Sequence, residues 1–113
     1  MATIAAAVTR NDDATIKVLW ETLTATDNVG SDYTCPAGYK LATVQIVGTF
    51  GGTVTVAASL DGTNFTTGED IASTALSVTA AGLFNVHGYA KAWHPTAGAG
   101  VSDVDVIAYF VPG

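Results

Sequence analysis

Apolar and polar residues alternate most strictly over residues 41–60, LATVQIVGTFGGTVTVAASL, where a pair of glycines separates two strand-like runs. Successive side chains of a β-strand point to opposite faces, so each run presents one apolar face and one polar face. The pattern predicts a β-hairpin. A three-residue turn over residues 50–52 places Ile46 opposite Val56 and gathers the apolar positions on one face, with one glycine in a left-handed conformation.

Shorter alternating runs fill most of the remaining chain, and turn-forming Asn, Asp, Gly and Pro residues separate them. No stretch repeats its apolar residues with the 3.6-residue period of a helix. Short strands spaced about 8 to 12 residues apart predict an all-β chain folded as a single-domain antiparallel β-sandwich. A jelly roll is the expected topology, and an immunoglobulin-like Greek key is the alternative. The clearest further runs are residues 15–23, 83–86 and 101–111, and residues 76–86 read as a second short hairpin.

The first fourteen residues differ from the rest of the chain because they contain only one short apolar stretch. Ile4 and Val8 lie in a short apolar stretch that ends at the turn-forming residues 11–13. We expect residues 1–14 to form an N-terminal arm or edge strand that docks on a neighbouring subunit or on a larger partner assembly, and residues 15–113 to form the sandwich. The stretch has no basic leader, so a secretion signal is not expected. No apolar run approaches the roughly 20 residues of a membrane-spanning helix.

The charge balance argues against several classes of partner. The chain carries 4 basic and 10 acidic residues, for a formal net charge of −6, and its few cations are scattered. Nucleic acids and anionic membranes are bound by clustered cations, so neither is expected as a partner. Charged residues make up only 12% of the chain, about half the usual fraction. We therefore expect a protein partner to cover part of the surface.

Residues with catalytic or metal-binding chemistry are few. His87 and His94 lie in consecutive strand-like segments, and Asp103 and Asp105 share one face of the last strand. A metal site needs three or four converging ligands, and no matching spacing occurs. The single Cys35 reads as a small buried residue. We expect no catalytic, cofactor-binding or metal site and no enzymatic activity.

Two other features admit a binding role. The segment Asp61-Gly62-Thr63-Asn64 resembles part of a calcium loop but lacks the remaining oxygen ligands, which makes it a turn. Trp20 and Trp93, together with the tyrosines, could form a platform for stacking sugars. Aromatic residues of a small β-domain are more often part of the core. A carbohydrate-binding or adhesion module, with a glycan as ligand, is therefore the alternative function.

The order of turn motifs over residues 41–86 resembles a known group of proteins. An alternating strand ending in VGTFGG is followed by the strand TVTVAASL, the turn DGTNF and the run ALSVTAAGLFNV. This order is similar to that of the small β-sandwich structural proteins of tailed bacteriophages. Members of the group carry an aromatic-Arg-Pro segment before the final strand. The corresponding residues here are Trp93, His94 and Pro95, without the arginine.

The resemblance implies a virion structural protein, an auxiliary protein that decorates and stabilises the capsid. It implies the major capsid protein or another virion protein as partner, and no catalytic residues. We expect such a protein to be made in the host cytoplasm, to reside in the virion and to form a homo-oligomer, for example a trimer. The alternative is the carbohydrate-binding or adhesion module, located in a virion tail or surface structure.

Overall fold

The structure is a computed structural model that describes residues 3–11, 14–69, 71, 74–88, 90–101 and 103–112, with only the backbone at 87 and 88. Within these residues the regular elements are strands. In chain order they are β1 (Thr3–Ile4), β2 (Ala7–Arg10), β3 (Ile16–Leu23), β4 (Val29–Gly30), β5 (Tyr33–Thr34), β6 (Tyr39–Thr49), β7 (Val54–Ser59), β8 (Thr66–Thr67), β9 (Ser77–Val78), β10 (Gly82–Gly88), β11 (Ala92–Ala97) and β12 (Asp103–Pro112).

The strands form two sheets packed face to face. One has five strands in the order β10-β6-β12-β3-β2, and the other has seven, with β1-β4-β11-β7-β8 as its main path, β5 beside β11 and β9 beside β7. From β3 onwards the chain passes from one sheet to the other and back, so strands distant in sequence, such as β3 and β12, become neighbours. This winding is that of a jelly roll. The predicted β-sandwich is confirmed, with one parallel pair, β1–β4, among the antiparallel ones.

The core between the sheets follows from the alternation along each strand. Residues 104, 106, 108 and 110 of β12 are buried, and the residues between them face outwards. The same alternation buries Val44 and Ile46 of β6 and Val54 and Val56 of β7, as the sequence predicted. The largest fully buried side chains are Trp20, Phe110, Ile16, Leu23, Leu41, Ile46 and Leu76.

The predicted central hairpin is wrong. β6 pairs with β10 and β12, whereas β7 pairs with β8, β9 and β11 in the other sheet. Residues 50–53 therefore connect the two sheets, and neither Gly51 nor Gly52 is among the residues with positive φ. A Cβ atom on Gly52 would instead lie 2.1 Å from the carbonyl oxygen of Ala99. These glycines are needed because two end loops touch backbone to backbone.

The predicted hairpin over residues 76–86 is wrong for the same reason, because β9 and β10 belong to different sheets. Alternation predicts a strand and its buried face, but it does not identify the neighbouring strand. In a jelly roll the neighbours come mostly from distant parts of the chain.

The N-terminal segment is bonded to both sheets of its own chain. β1 pairs with β4, and β2 pairs with β3 at the edge of the five-stranded sheet. Between these strands, Ser31 N donates to Ile4 O and Ala6 N donates to Ser31 Oγ, at 2.8 and 2.9 Å. Ile4 also packs against the core. The described part of residues 1–14 thus forms edge strands, and docking of this segment on a partner stays a prediction.

Candidate functional site

The turn after β7 is organised by one carboxylate. Oδ1 of Asp61 accepts hydrogen bonds from the backbone N–H groups of Thr63 and Asn64, both at 2.8 Å, and from the hydroxyl of Ser59 at 2.7 Å. Its Oδ2 accepts from the side-chain amide of Asn64 at 2.7 Å. These bonds, the one from Asn64 N first, hold the pKa of Asp61 well below its usual range. Both carboxylate oxygens are thus engaged in the turn itself.

A shallow depression of about 430 Å³ lies beside this turn. Apolar atoms form most of its wall, and the side chain of Leu60 is 81% exposed at its rim. Three of its four polar residues, Ser59, Asp61 and Asn64, are bonded to one another within the turn. The depression therefore offers mainly contact area. Its lining residues are Ala58, Ser59, Leu60, Asp61, Asn64, Thr66 and Ala90.

The two histidines lie in different sheets, so they do not face each other across neighbouring strands. His87 belongs to β10, and its side chain lies outside the described residues. His94 belongs to β11, where its Nδ1 is 2.9 Å from Oδ1 of Asp32 and its ring centroid is 4.4 Å from that of Phe65. Among the described residues, no group of three or more His, Cys, Asp and Glu is placed to hold a metal ion. The imidazole of His94 and the carboxylate of Asp32 thus lie within ion-pair distance of each other on the outer face of the seven-stranded sheet.

The two aspartates of β12 have different surroundings. Asp103 is exposed, whereas Oδ1 of Asp105 accepts a hydrogen bond from Thr22 N at 2.9 Å. Thr22 has a φ of +58° at an irregularity of the pairing between β3 and β12. A β-branched residue rarely adopts this conformation. Asp105 therefore stabilises a bulge in the neighbouring strand.

Both tryptophans belong to the core. Trp20 and Trp93 are 1% and 3% exposed, so the sugar-stacking hypothesis is wrong for these two residues. Nε1 of Trp20 donates to Ser31 O at 2.9 Å, whereas Nε1 of Trp93 has no partner among the described residues. The hydroxyls of Tyr39 and Tyr109 donate to the chain's own oxygens, each at 2.8 Å.

Cys35 is a half-buried free cysteine. Burial raises the pKa of its thiol, so the group stays protonated at neutral pH, with Sγ 3.3 Å from Tyr39 O. A thiol in this state is a poor nucleophile. The sequence predicted a small buried residue, and the structure shows Cys35 only partly buried, packed against the core.

The sequence did not identify an uncharged row on the outer face of the five-stranded sheet. Its members are register partners on all five strands, so they form one continuous line across the sheet. The side chain of Leu83 at one end is 67% exposed. A depression of about 250 Å³ lies along the line, with Tyr109 in its wall. This outer row consists, in the order of the strands, of Leu83, Gln45, Ile107, Leu19 and Ala7.

Apolar side chains aligned on a solvent-facing sheet mark a contact surface more often than isolated ones do. The alternation of β3 and β12 already placed Leu19 and Ile107 on their outward faces. The strand order and register were needed to align them with Leu83.

Within the described residues no helix could cross a membrane.

No family model and no curated protein matches the sequence. Solved structures are similar in fold. The SPBc2 prophage-derived protein YomS is 13% identical, with a TM-score of 0.61 over 85% of this chain and 93% of its own. The protein NMB1881 from Neisseria meningitidis is 12% identical, with a TM-score of 0.44 over 91% and 81%. A cupin-2 domain containing protein from Shewanella frigidimarina is 11% identical, with a TM-score of 0.43 over 100% and 84%. At 13% identity, the likeness to YomS is one of fold.

Proposed function

We propose that this chain is a non-enzymatic structural protein of a phage virion, an auxiliary head protein that binds and stabilises the capsid shell. Its partner is the major capsid protein or another virion protein. It is made in the host cytoplasm and resides in the virion.

One observation carries the proposal: the phage-like turn sequences over residues 41–86 lie on a jelly roll. The DGTNF turn leaves the sandwich at the end of β7, where hydrogen bonds to Asp61 order it at the surface. The SPBc2 prophage-derived protein has a similar fold over nearly its whole length, which supports a phage origin. At the arginine position of the related phage segment, this chain has His94 beside Asp32.

The surface suits protein contact. The outer row is uncharged across five strands, and burial of such a row against another protein surface, whether a second copy of this chain or a virion protein, releases water without desolvating charge. A protein that binds the assembled shell and not its separate subunits stabilises the shell by mass action. Contact area and shape are therefore sufficient for this function, without catalytic chemistry.

The test is co-sedimentation with capsids of the encoding phage, prepared from a strain that lacks this gene. We expect saturable binding at a fixed ratio to the major capsid protein and a higher melting temperature of the shell. Capsids that already carry the protein are the control, since their sites are occupied and should bind no more. A protein that stays in the supernatant with the deficient capsids at every concentration would contradict the proposal.

The carbohydrate-binding alternative has lost both tryptophans of its predicted platform. Trp20 and Trp93 are buried, and a sugar-stacking platform needs exposed rings. No other described feature favours it, so we do not propose a glycan ligand.

A further inference from the structure

We propose that the outer face of the five-stranded sheet binds a second copy of this chain, across a two-fold axis that runs along the outer row. This inference goes beyond the proposed function and does not depend on it, because it concerns the purified protein alone. It rests on the uncharged outer row, which is apolar at every position except Gln45, and on charges arranged so that the face complements itself.

The uncharged part of the proposed contact is the outer row itself. A two-fold axis along this row brings the row of one copy against the same row of the other, so Leu83 meets Leu83 and Leu19 meets Leu19. The strands of the two copies then run in opposite directions, close to the aligned arrangement of packed sheets. Leu83, which is 67% exposed in the single chain, would lose much of its contact with water.

The charged part lies on both sides of the row. On β3 the outward residues are Lys17, Leu19 and Glu21, with the leucine in the row and one charge on each side. Neither charged group forms an ion pair with a described residue. On the neighbouring strand β12, Asp105 lies on the same side of the row as Glu21, and the uncharged Tyr109 lies beside Lys17.

The two-fold rotation about an axis along the outer row places each side of the row in one copy against the opposite side of the row in the other copy. Lys17 of one copy then faces Glu21 of the other, and the same pair forms a second time by symmetry. A two-fold axis parallel to the strands, between β3 and β12, would instead place Glu21 of one copy against Asp105 of the other, which like-charge repulsion opposes. The charges therefore select one of the two face-to-face arrangements.

The size of the face sets the expected affinity. Five strands at about 4.8 Å spacing and three rows of outward residues cover roughly 500 Å² per copy. Stable interfaces bury about 800 Å² per partner, so this contact is at the weak end. We expect a dissociation constant on the order of 100 µM at low salt. A dimer of this affinity forms where many copies are held close together, because their local concentration is high.

The experiment is sedimentation velocity of the purified protein from about 10 µM to 1 mM at low salt. We expect a monomer–dimer equilibrium that weakens as salt is added. Lys17→Glu and Glu21→Lys should each weaken dimerisation about tenfold or more, because each places two like charges in contact twice. The double variant Lys17→Glu/Glu21→Lys exchanges the charges and should restore dimerisation to within about threefold of the parent.

The single variants separate this pairing from general charge repulsion. Glu21→Lys reduces the net charge from −6 by two units, so general repulsion predicts stronger association where the pairing predicts weaker association. Lys91→Glu makes the same charge change as Lys17→Glu, but at an exposed residue before β11, and should leave dimerisation nearly unchanged. All substituted side chains are exposed, so circular dichroism and thermal melts should match the parent.

Leu83→Gln provides a second test without a change of charge, and it should also weaken the dimer. A protein that stays monomeric at the highest concentration would overturn the inference. So would a double variant as weak as its single variants. An outer row that affects capsid binding while self-association stays unchanged would also overturn it and would assign the face to the shell.

Discussion

The carboxylate of Asp61 forms its hydrogen bonds within its own turn. It accepts hydrogen bonds from two backbone N–H groups and two side chains of one turn. The bonds favour the charged form, which lowers the pKa of Asp61 in the folded protein. The stabilisation is complete above the ordinary aspartate pKa of about 3.9 and is lost as the pH falls from there towards the folded value.

Asp61→Asn should therefore reduce stability more at pH 7 than at pH 3. The measurement is the free energy of unfolding from urea titrations at both pH values, with the exposed Asp103→Asn as a matched control. A difference between the parent and Asp61→Asn that is the same at both pH values would mean that the turn does not depend on the charge.

The two buried tryptophans offer a matched comparison. Trp20→Phe and Trp93→Phe remove the same atoms from the same core, but only Trp20 loses a hydrogen bond, the one to Ser31 O. We expect Trp20→Phe to cost about 1 kcal/mol more in chemical denaturation, because the bond is lost and its acceptor is left unpaired. A larger cost for Trp93→Phe would contradict the assignment of its N–H as unbonded.

At the scale of elements, two end loops hold the sheets together at one end of the sandwich. Gly98 N donates to Thr53 O at 2.7 Å, and the backbone of Gly52 lies against that of Ala99. Gly52→Ala should destabilise the protein by about 1 to 3 kcal/mol, as overpacking does. Gly38 is the control, because its φ is +83° but no atom lies within 4 Å of its added Cβ.

In chemical denaturation we expect Gly38→Ala to cost about 1 kcal/mol, the cost of a left-handed conformation for alanine. A lower cost for Gly52→Ala than for Gly38→Ala would mean that the loops separate easily and that their contact adds little to stability.

The N-terminal strands should contribute to stability. Deletion of residues 1–10 removes β1 and β2, the contact of Ile4 with the core and the two hydrogen bonds at Ser31. The truncated protein should unfold at a lower urea concentration than the parent, since the edges of β3 and β4 become exposed. Unfolding at the parent midpoint would favour the original expectation of an arm that serves only to bind a partner.

Local pattern was sufficient to predict strands and their buried faces, as at Val44 and Val56, because the two-residue period is a property of the strand itself. It was not sufficient to predict partners. β6 lies between β10 and β12, and these contacts join residues up to about 70 positions apart. The outer row depends on the same distant pairings. Leu19 and Ile107 could be assigned to outward faces from the sequence, but their alignment with Leu83 required the register.

At the scale of the whole molecule, the two outer faces have different surfaces. The five-stranded sheet carries the uncharged outer row between sites of opposite charge, and the seven-stranded sheet carries His94, Asp32 and Phe65. In the proposed pair of copies, the seven-stranded sheets point away from the two-fold axis. The shell would then contact this second face or the end loops, including the turn at Asp61.

The account depends most on the presence of this protein on the capsid. The direct measurement is cryo-electron microscopy of the parent phage particle, compared with a particle from which the gene has been deleted. We predict jelly-roll density at regular positions on the outside of the parent shell and its loss from the deleted particle. Identical shells in the two reconstructions, or mass spectrometry that finds no copy of the protein in purified virions, would contradict the proposed function.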